Sequence, residues 1–466
     1  MKKLIRTLAL ALAFVFVLSA CQGASPEIIP EYKVDTSSVD LDGFELKWGF
    51  AKSNSDNDDN IFGYIPGTSF ADLATERLNT IQTELNCKIE MEYKGFGTVS
   101  NNMVSSIMSG SPYYDITTNE SYATLHHVRG GYFTPLSGLL DLADTDKYGT
   151  PNMLQSVIYK DDVYSVVPNA LPDLLYTSFG CPIVVNESLI AQYGHEDPRD
   201  FVENGTWTWD KFEECLQAYT TVDGEKTIYG ISSHTPYYSM LMFLSNGVTF
   251  TEFTDDGIMC GIYTPEGITA MERAQNIKNN TCSDCFNPVD STAGVVDSFK
   301  NGECVLLVTG SSAIIGTTTS IMYEMDNVGI IPFPQGPDAT PGVYTSYHET
   351  LLFTTGIPIN AQDSEAAATV LDMMFEPFEG YETKEDIIEY LADQVFFDVR
   401  DAQVFYNMLQ NTEYTYQNDG ARAAIEGVMG TKSVTEVLEG LEEVYAELLE
   451  KNMKPHYEGR LAVYGE

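Results

Sequence analysis

Apolar and polar residues alternate with two different periods along the first part of the chain. Residues 44–50 alternate with period two and are rich in aromatic side chains, which predicts a β-strand. Residues 72–85 instead carry Leu and Ile at helical spacing, and a second alternating segment follows at residues 88–93. A strand, a helix and a strand in this order predict a right-handed parallel βαβ unit.

Turn and capping signals extend this organisation into the second half of the chain. Residues 250–263 predict a β-hairpin. Thr264 and Pro265 have the residue types of a helix cap and a first helical position. Ser433 and Glu436 have the spacing of a capping box ahead of an amphipathic C-terminal helix. These signals predict alternating strands and helices over most of the chain.

The N-terminus has the pattern of a secretion signal. An apolar run at residues 8–17 follows three basic residues and is shorter than the roughly 20 residues that span a bilayer. Leu18-Ser-Ala-Cys21 resembles the bacterial lipoprotein cleavage box, which implies removal of residues 1–20 and a lipid on Cys21. Residues 21–41 are expected to form a tether. We therefore expect a protein anchored by lipid to the cell membrane, on its extracytoplasmic side. An ordinary signal with a chance Cys is the alternative.

The charge of the chain excludes some partners. It has 25 Lys and Arg against 68 Asp and Glu, a formal net charge of −43. Such a charge repels nucleic acid and favours a soluble monomer. The acidic residues are dispersed over many segments, so they do not by themselves indicate a cationic ligand.

The cysteines do not form a recognisable framework. Seven remain besides Cys21, an odd number with irregular spacing. Cys282-Ser-Asp-Cys285 is a single CxxC, and no His follows it at zinc-site spacing. We expect neither a metal nor a cofactor, and the pattern leaves open a local disulfide or two free thiols.

Seven segments point to one family when they are taken in order. They are Gly110-Ser-Pro with Tyr114-Asp-Ile116, Gly131-Tyr-Phe-Thr-Pro-Leu136, Tyr159-Lys-Asp-Asp-Val-Tyr-Ser-Val-Val-Pro168, Pro182-Ile-Val-Val-Asn186, Thr206-Trp-Thr-Trp-Asp210, and residues 299–310 and 327–337. They resemble the motifs of family 1 extracellular solute-binding proteins, the carbohydrate-type substrate-binding lipoproteins of ABC transporters. The resemblance covers about residues 44–375. One departure is Gly310-Ser-Ser-Ala313, where the family often has a stacking aromatic residue.

The resemblance implies an α/β fold of the type II periplasmic-binding-protein kind. Two lobes, each a mostly parallel sheet flanked by helices, would be joined by a hinge. Lobe 1 would comprise residues 42–174 and 345–378, and lobe 2 residues 175–344 and 379–466. The implied function is capture of a small solute by lobe closure and its delivery to ABC permease subunits, without catalysis.

Candidate binding residues lie at the carboxyl ends of predicted strands and in the crossovers between lobes. They are Trp48, Tyr64, Asn119, Glu120 and Tyr122 in lobe 1, Tyr237, Tyr238 and Ser311 in lobe 2, and Tyr176, Tyr347 and His348 near the hinge. Aromatic faces and short polar groups of this kind suit an uncharged polyol. For each aromatic residue, packing in a core is the alternative.

The expected solute is a mono- or oligosaccharide, with peptides, polyamines and polyol phosphates left open. Two other functional classes fit less of the sequence. A secreted glycoside hydrolase needs two carboxylates across one bond, and 68 acidic residues single out no pair. A surface adhesin more often shows β-repeats than βαβ units. Serine-hydrolase, P-loop and zinc-protease motifs do not occur in the sequence.

Overall fold

The computed structural model describes residues 39–52, 61–64, 67, 69–95, 97–172, 180–254, 257–315, 319–348, 352–396, 398–414, 425, 429–430 and 432–465. The predicted signal peptide, Cys21, most of the predicted tether and Tyr176 lie outside the described residues. So do the side chains of Tyr122 and His348. None of the described helices is both long enough and apolar enough to cross a membrane.

The described residues form fifteen strands. In chain order they are β1 Phe44–Lys52, β2 Cys87–Gly95, β3 Ile116–Glu120, β4 Ile158–Tyr159, β5 Asp162–Val163, β6 Ile183–Asn186, β7 Thr221–Asp223, β8 Lys226–Ser233, β9 Thr251–Thr254, β10 Gly257–Cys260, β11 Cys304–Val308, β12 Val328–Ile331, β13 Ser346–His348, β14 Phe353–Gly356 and β15 Thr412–Tyr414. The predicted strands at residues 44–50 and 88–93 are confirmed as β1 and β2, and the predicted hairpin is confirmed as β9 and β10.

The described residues also form nineteen α-helices. They are α1 Ser69–Glu84, α2 Thr98–Ser109, α3 Ser121–Arg129, α4 Thr145–Tyr148, α5 Pro151–Leu154, α6 Glu187–Tyr193, α7 Pro198–Glu203, α8 Trp209–Tyr219, α9 Thr235–Leu244, α10 Pro265–Asn276, α11 Thr292–Lys300, α12 Ser311–Ile314, α13 Ile321–Glu324, α14 Ser364–Phe375, α15 Lys384–Leu391, α16 Val399–Gln410, α17 Val434–Glu439, α18 Glu442–Leu448 and α19 Lys454–Tyr464. Short π-helical turns extend α10, α15 and α18.

Side-chain caps fix where several of these helices begin. The Thr264 hydroxyl accepts a hydrogen bond from the Gly267 N–H at 3.0 Å, with Pro265 in the first turn of α10. The capping box at α17 is confirmed, because Ser433 and Glu436 exchange side-chain-to-backbone hydrogen bonds. The local signals in the sequence therefore set these boundaries directly.

The first sheet has the strand order β14-β3-β1-β2. β1 pairs in parallel with both β2 and β3, whereas β14 runs antiparallel to β3. The predicted βαβ unit is therefore confirmed as β1-α1-β2. β14 returns to this sheet from much later in the sequence, so the first lobe, defined here by this sheet and its helices, is discontinuous in the chain.

The second sheet, which defines the second lobe, has the order β12-β6-β11-β8-β7. β8 and β11 are parallel, and the other three pairs are antiparallel. This differs from the expected mostly parallel sheet. Two of the antiparallel pairs involve β6, the first described strand after the crossover, which runs between β12 and β11 in the opposite direction to both. The third pair is the β7-β8 hairpin. Buried strands are apolar in either direction, so the sequence does not reveal the reversal at β6.

The C-terminal arm, residues 432–464, contacts both lobes. On the second lobe, the Tyr263 hydroxyl donates a hydrogen bond to the Leu438 carbonyl at 3.2 Å. On the first lobe, the Lys160 N–H donates to the Pro455 carbonyl at 2.8 Å. Buried His456 accepts from Arg129 Nε at 2.9 Å. Within the arm, α17 thus contacts the second lobe, and α19 packs against the β4-β5 hairpin of the first lobe. The residue ranges assigned to the lobes from sequence stay a prediction.

Candidate functional site

The outgoing chain and the returning chain pass between the lobes, and the described residues that flank the two crossovers lie next to one another. In the first lobe, Val166 and Thr355 exchange backbone hydrogen bonds of 2.7 and 2.8 Å. In the second lobe, the Cys181 N–H donates to Ser346 Oγ at 2.9 Å. The outgoing chain and the returning chain therefore adjoin each other in both lobes, which is the connectivity that a hinge between two lobes requires.

Gly180 brings these crossovers into close contact. Its φ of +87° lies in the left-handed region, and its carbonyl accepts from the Ser311 N–H at 2.8 Å. A Cβ at Gly180 would lie only 2.8 Å from the Cβ of Ser346. The backbone conformation and the packing therefore both require glycine at this position.

One edge of the second sheet collects loops that follow buried strands. The registers place Ser233, Val308, Ile183 and Ile331 in one row across four strands. His234 and Thr309 follow the first two, at the carboxyl ends of β8 and β11. Ligands of open α/β folds bind at such edges.

Tyr237 lies at this edge and is partly exposed. Its ring packs nearly perpendicular to His234, with centroids 5.6 Å apart, and lies 6.3 Å from the ring of Tyr347. Gly310 adjoins its hydroxyl: a Cβ there would lie 3.8 Å from the hydroxyl oxygen. Gly310, the first residue of Gly310-Ser-Ser-Ala313, therefore borders the Tyr237 hydroxyl.

The edge of the first lobe carries unsatisfied polar groups. Asn119 and Glu120 end β3 and are fully buried. Ser100 Oγ donates to Asn119 Oδ1 at 2.9 Å. Asn119 Nδ2 and both carboxylate oxygens of Glu120 have no hydrogen-bond partner in the described part of the chain. Burial raises the pKa of Glu120 above its ordinary value. Buried polar groups normally have partners, so these atoms suit a ligand.

Described residues of the returning chain contact both edges. The Ser121 N–H, next to Glu120, donates to the Leu352 carbonyl at 2.8 Å. Tyr347, five residues before Leu352, packs against Tyr237. Glu120 and Tyr237 therefore lie near Leu352 and Tyr347, respectively, which are only five positions apart in the sequence.

Four of the predicted binding residues are packed in the cores. Trp48 Nε1 donates to Thr118 Oγ1 at 3.0 Å, and Trp48 packs against Phe62. The hydroxyls of Tyr64 and Tyr238 donate to backbone carbonyls at 2.7 and 3.2 Å. Tyr347 is also fully buried. The alternative of core packing applies to these residues, and we leave them out of the proposed site. Ser311 is buried at the crossover.

Sequence reasoning missed a side-chain pair at the edge of the second sheet. His234 Nδ1 lies 2.9 Å from Asp290 Oδ1, which also accepts from the Thr235 N–H at 2.7 Å. Asp290 Oδ2 accepts from Thr235 Oγ1 at 2.6 Å. Burial raises the pKa of Asp290, but hydrogen bonds from Thr235 and His234 outweigh it and bring the pKa to about 2. A His directly after a buried strand was the available signal; Asp290, 56 residues away, gave none.

Among the described residues, neither the cysteines nor groups of metal-binding side chains add a reactive or metal site at these edges. The seven cysteines besides Cys21 are free thiols, and all but Cys87 are buried. Within the ranges described, no three His, Cys, Asp or Glu side chains come together as metal ligands.

Two α/β lobes, joined by paired crossovers and bearing unsatisfied polar groups at the sheet edge, define a two-lobed binding protein. The chain belongs to the bacterial extracellular solute-binding proteins, whose sequence model matches residues 65–378. It is therefore an extracytoplasmic solute-binding protein of an ABC transporter and not an enzyme. No curated protein matches the sequence.

Solved structures share the fold at low sequence identity. The ABC substrate-binding protein of Listeria monocytogenes in complex with cycloalternan is 16% identical, with 88% of this chain and 100% of that chain covered and a TM-score of 0.55. The cyclic alpha-maltosyl-1,6-maltose binding protein of Arthrobacter globiformis is 14% identical, with 88% and 99% covered and a TM-score of 0.62. UgpB of Mycobacterium tuberculosis, in complex with glycerophosphocholine, is 16% identical, with 88% and 99% covered and a TM-score of 0.55.

Proposed function

We propose that the chain captures an uncharged mono- or oligosaccharide between Asn119 and Glu120 of the first lobe and Tyr237 of the second. The observation that carries this proposal is the fully buried Glu120, both of whose carboxylate oxygens lack a partner in the described residues. Sugar hydroxyls would donate to these oxygens and accept from Asn119 Nδ2. The partly exposed ring of Tyr237 offers a face for sugar C–H groups.

The charges near the site favour a neutral solute over a phosphodiester. The N-terminus of α9 would attract an anion, but the Asp290 carboxylate already accepts its Thr235 N–H. Glu120 adds a second carboxyl group at the first lobe. Lys278 lies close enough to offset the charge of Asp290, but a phosphodiester group has no O–H to donate to Glu120, whereas a sugar has. The carbohydrates bound by the Listeria and Arthrobacter proteins agree with this preference.

Capture would proceed by closure of the lobes about the paired crossovers. A solute that contacts both lobes stabilises the closed form in proportion to its higher affinity for that form. We propose that the chain passes from one lobe to the other near residues 174, 344 and 378. The closed complex then delivers its solute to the permease subunits of the transporter.

We also propose that Cys21 carries the lipid anchor that keeps the protein at the membrane. The support is the agreement of basic residues, apolar run and cleavage box in the sequence. Cys21→Ala combined with Leu18→Ala, which supplies an Ala-x-Ala cleavage site so that residues 1–20 are still removed, is expected to move the protein from the membrane fraction to the medium or periplasm. Cys87→Ala is the control and should stay with the membrane. Retention of the double variant on the membrane would contradict the anchor.

A thermal-shift screen tests the solute class. The mature chain is heated with neutral oligosaccharides, monosaccharides, glycerophosphocholine, peptides and polyamines. A true solute at 100 times its Kd stabilises the protein by about 2.7 kcal/mol. At least one carbohydrate should raise the melting temperature, and Glu120→Gln should reduce that shift. Stabilisation by glycerophosphocholine, a peptide or a polyamine but by no carbohydrate would overturn the proposal.

A further inference from the structure

We propose that His234, held in place by Asp290, determines specificity in the second lobe by accepting a hydrogen bond from one solute hydroxyl at Nε2. This inference rests on the proposed capture of a carbohydrate and adds a residue to it. Asp290 is a positioning residue, because its carboxylate acts through the imidazole.

The position of His234 supports this role. It directly follows β8, at the sheet edge where β11 ends and β6 begins. Its ring packs edge-on against Tyr237. Tyr237 in turn contacts Tyr347 of the returning chain, and described residues of that chain also adjoin Glu120. The imidazole is 25% exposed, so it is accessible from this edge without being a free surface side chain.

Asp290 fixes the orientation of the imidazole. It accepts from His234 Nδ1 at 2.9 Å and is itself held by the backbone N–H and the hydroxyl of Thr235. Lys278 Nζ donates to the same Thr235 hydroxyl. A carboxylate that accepts from Nδ1 places the proton of a neutral imidazole on that nitrogen. The lone pair then lies on Nε2, for which the described residues supply no partner.

This geometry selects for a hydroxyl donor. Nε2 and the carboxylate of Glu120 are both acceptors, so a solute must present O–H groups to both lobes. An analogue that lacks the matching hydroxyl would leave Nε2 unpaired in the closed complex. Sites built around such a hydrogen bond reject the deficient analogue strongly.

Binding of deoxy sugars to three variants provides the test. The carbohydrate that stabilises the wild type is compared with its monodeoxy analogues by titration calorimetry. His234→Phe should weaken binding of the parent sugar about tenfold or more, because a ring of similar shape replaces the acceptor. His234→Gln, whose amide oxygen can accept, should recover most of the affinity. His195→Phe is the control, at a partly buried histidine of the second lobe whose ring packs at a tilt against Tyr219.

The decisive readout is the coupling between the variant and one deoxy position. One monodeoxy analogue should bind the wild type about tenfold more weakly than the parent sugar and bind His234→Phe as well as the parent does. If every deoxy penalty persists in His234→Phe, the inference is overturned while the proposed sugar binding stands. If the wild type binds no carbohydrate, the proposed function fails, and the inference fails with it. Should His234→Phe not fold, His234→Leu, which also lacks an acceptor, replaces it, and a deoxy penalty that persists unchanged in His234→Leu overturns the inference equally.

Imidazole ¹⁵N spectra test the positioning role of Asp290. The chain has six histidines, and His234→Gln identifies the His234 signal by its loss. The wild type at neutral pH should show the proton on Nδ1. Asp290→Asn should shift the tautomer and weaken sugar binding, and Asp290→Glu should restore both in part. A tautomer unchanged in Asp290→Asn would contradict the positioning role.

Discussion

The backbone N–H of Cys181 donates a hydrogen bond of 2.9 Å to the side-chain oxygen of Ser346. Cys181 lies where the chain enters the second lobe, and Ser346 lies where it prepares to leave. Both groups are buried, so the bond joins the two crossovers at a point that water does not reach. The hinge between the lobes must therefore lie at this bond, or between this bond and the first lobe.

Gly180→Ala should destabilise the protein by more than the cost of its backbone conformation alone. A left-handed non-glycine residue costs about 1–2 kcal/mol, and the new methyl group would also overlap Ser346. Gly342→Ala is the matched control, because Gly342 has a φ of +80° with no atom within 4 Å of its missing Cβ. Urea denaturation measures both free energies of unfolding. Equal losses in the two variants would show that the crossover contact is unimportant.

Glu120→Gln should stabilise the empty protein and weaken solute binding. Burial raises the pKa of Glu120, so the folded protein holds its proton more tightly than the unfolded chain. Stability is unaffected below the unfolded pKa, about 4.3, and falls as pH rises towards the folded pKa. The advantage of the variant should therefore grow with pH.

Melting curves of the unliganded protein between pH 4 and 8 measure this advantage. Glu76→Gln, at an exposed position of α1, is the control and should follow the wild type. A melting difference between Glu120→Gln and the wild type that shrinks with rising pH would contradict the assignment of a buried carboxyl without partners.

Arg199→Met should cost about 3–5 kcal/mol, because it leaves buried charge without its partner. Arg199 lies within 3.4 Å of Asp401, which is fully buried on α16. Burial raises the pKa of Asp401 to about 7, and Arg199 opposes that shift. Without Arg199 the pKa of Asp401 rises further, so the loss should be larger at pH 8 than at pH 5.

The neighbouring Arg400 provides the comparison. Its side chain is 36% exposed and pairs with Asp398 at 3.0 Å. Exposed pairs of this kind contribute about 0–1 kcal/mol. Chemical denaturation at both pH values should therefore separate the two arginines. A loss in Arg400→Met as large as that in Arg199→Met would contradict the buried cluster as the source of stability.

The native thiols should be nearly inert to an aromatic disulfide reagent at pH 8. Six of the seven described cysteines are buried, and burial raises the pKa of Cys282 to about 12. Cys87 is half-buried and should react first. Denaturation without reductant should release all seven thiols. A titre lower by two would reveal one disulfide, and loss of that difference in Cys282→Ala would assign it to Cys282 and Cys285.

The sequence predicts strand positions better than strand directions. β1 and β2 follow from alternation, which the pleat of a half-buried strand imposes. Trp48 lies two residues from buried Leu46, so the same alternation already places it on the inward face. The buried position of Trp48 could therefore be predicted from the sequence, although its aromatic side chain also suggested a contact with the ligand. The antiparallel direction of β6 could not be predicted, because a short run of buried apolar residues has the same pattern in a parallel and in an antiparallel strand.

The candidate site divides in the same way. The sequence predicts Asn119 and Glu120 as candidates because polar residues at the end of a buried strand are conspicuous. The pairing of His234 with Asp290 depends on how α9 and the loop before α11 meet in space. No local pattern encodes a contact between residues so far apart.

The C-terminal arm makes the first lobe dependent on the end of the chain. Thr118 and Thr355 are hydrogen-bonded partners 237 positions apart, and His456 contacts Ile158 across 298 positions. Such a topology has high contact order and assembles slowly. A polypeptide that emerges N-terminus first cannot complete the first lobe until its last helix is released. We expect the nascent chain to stay less compact until α19 has been made, a state that suits passage through a narrow translocation channel.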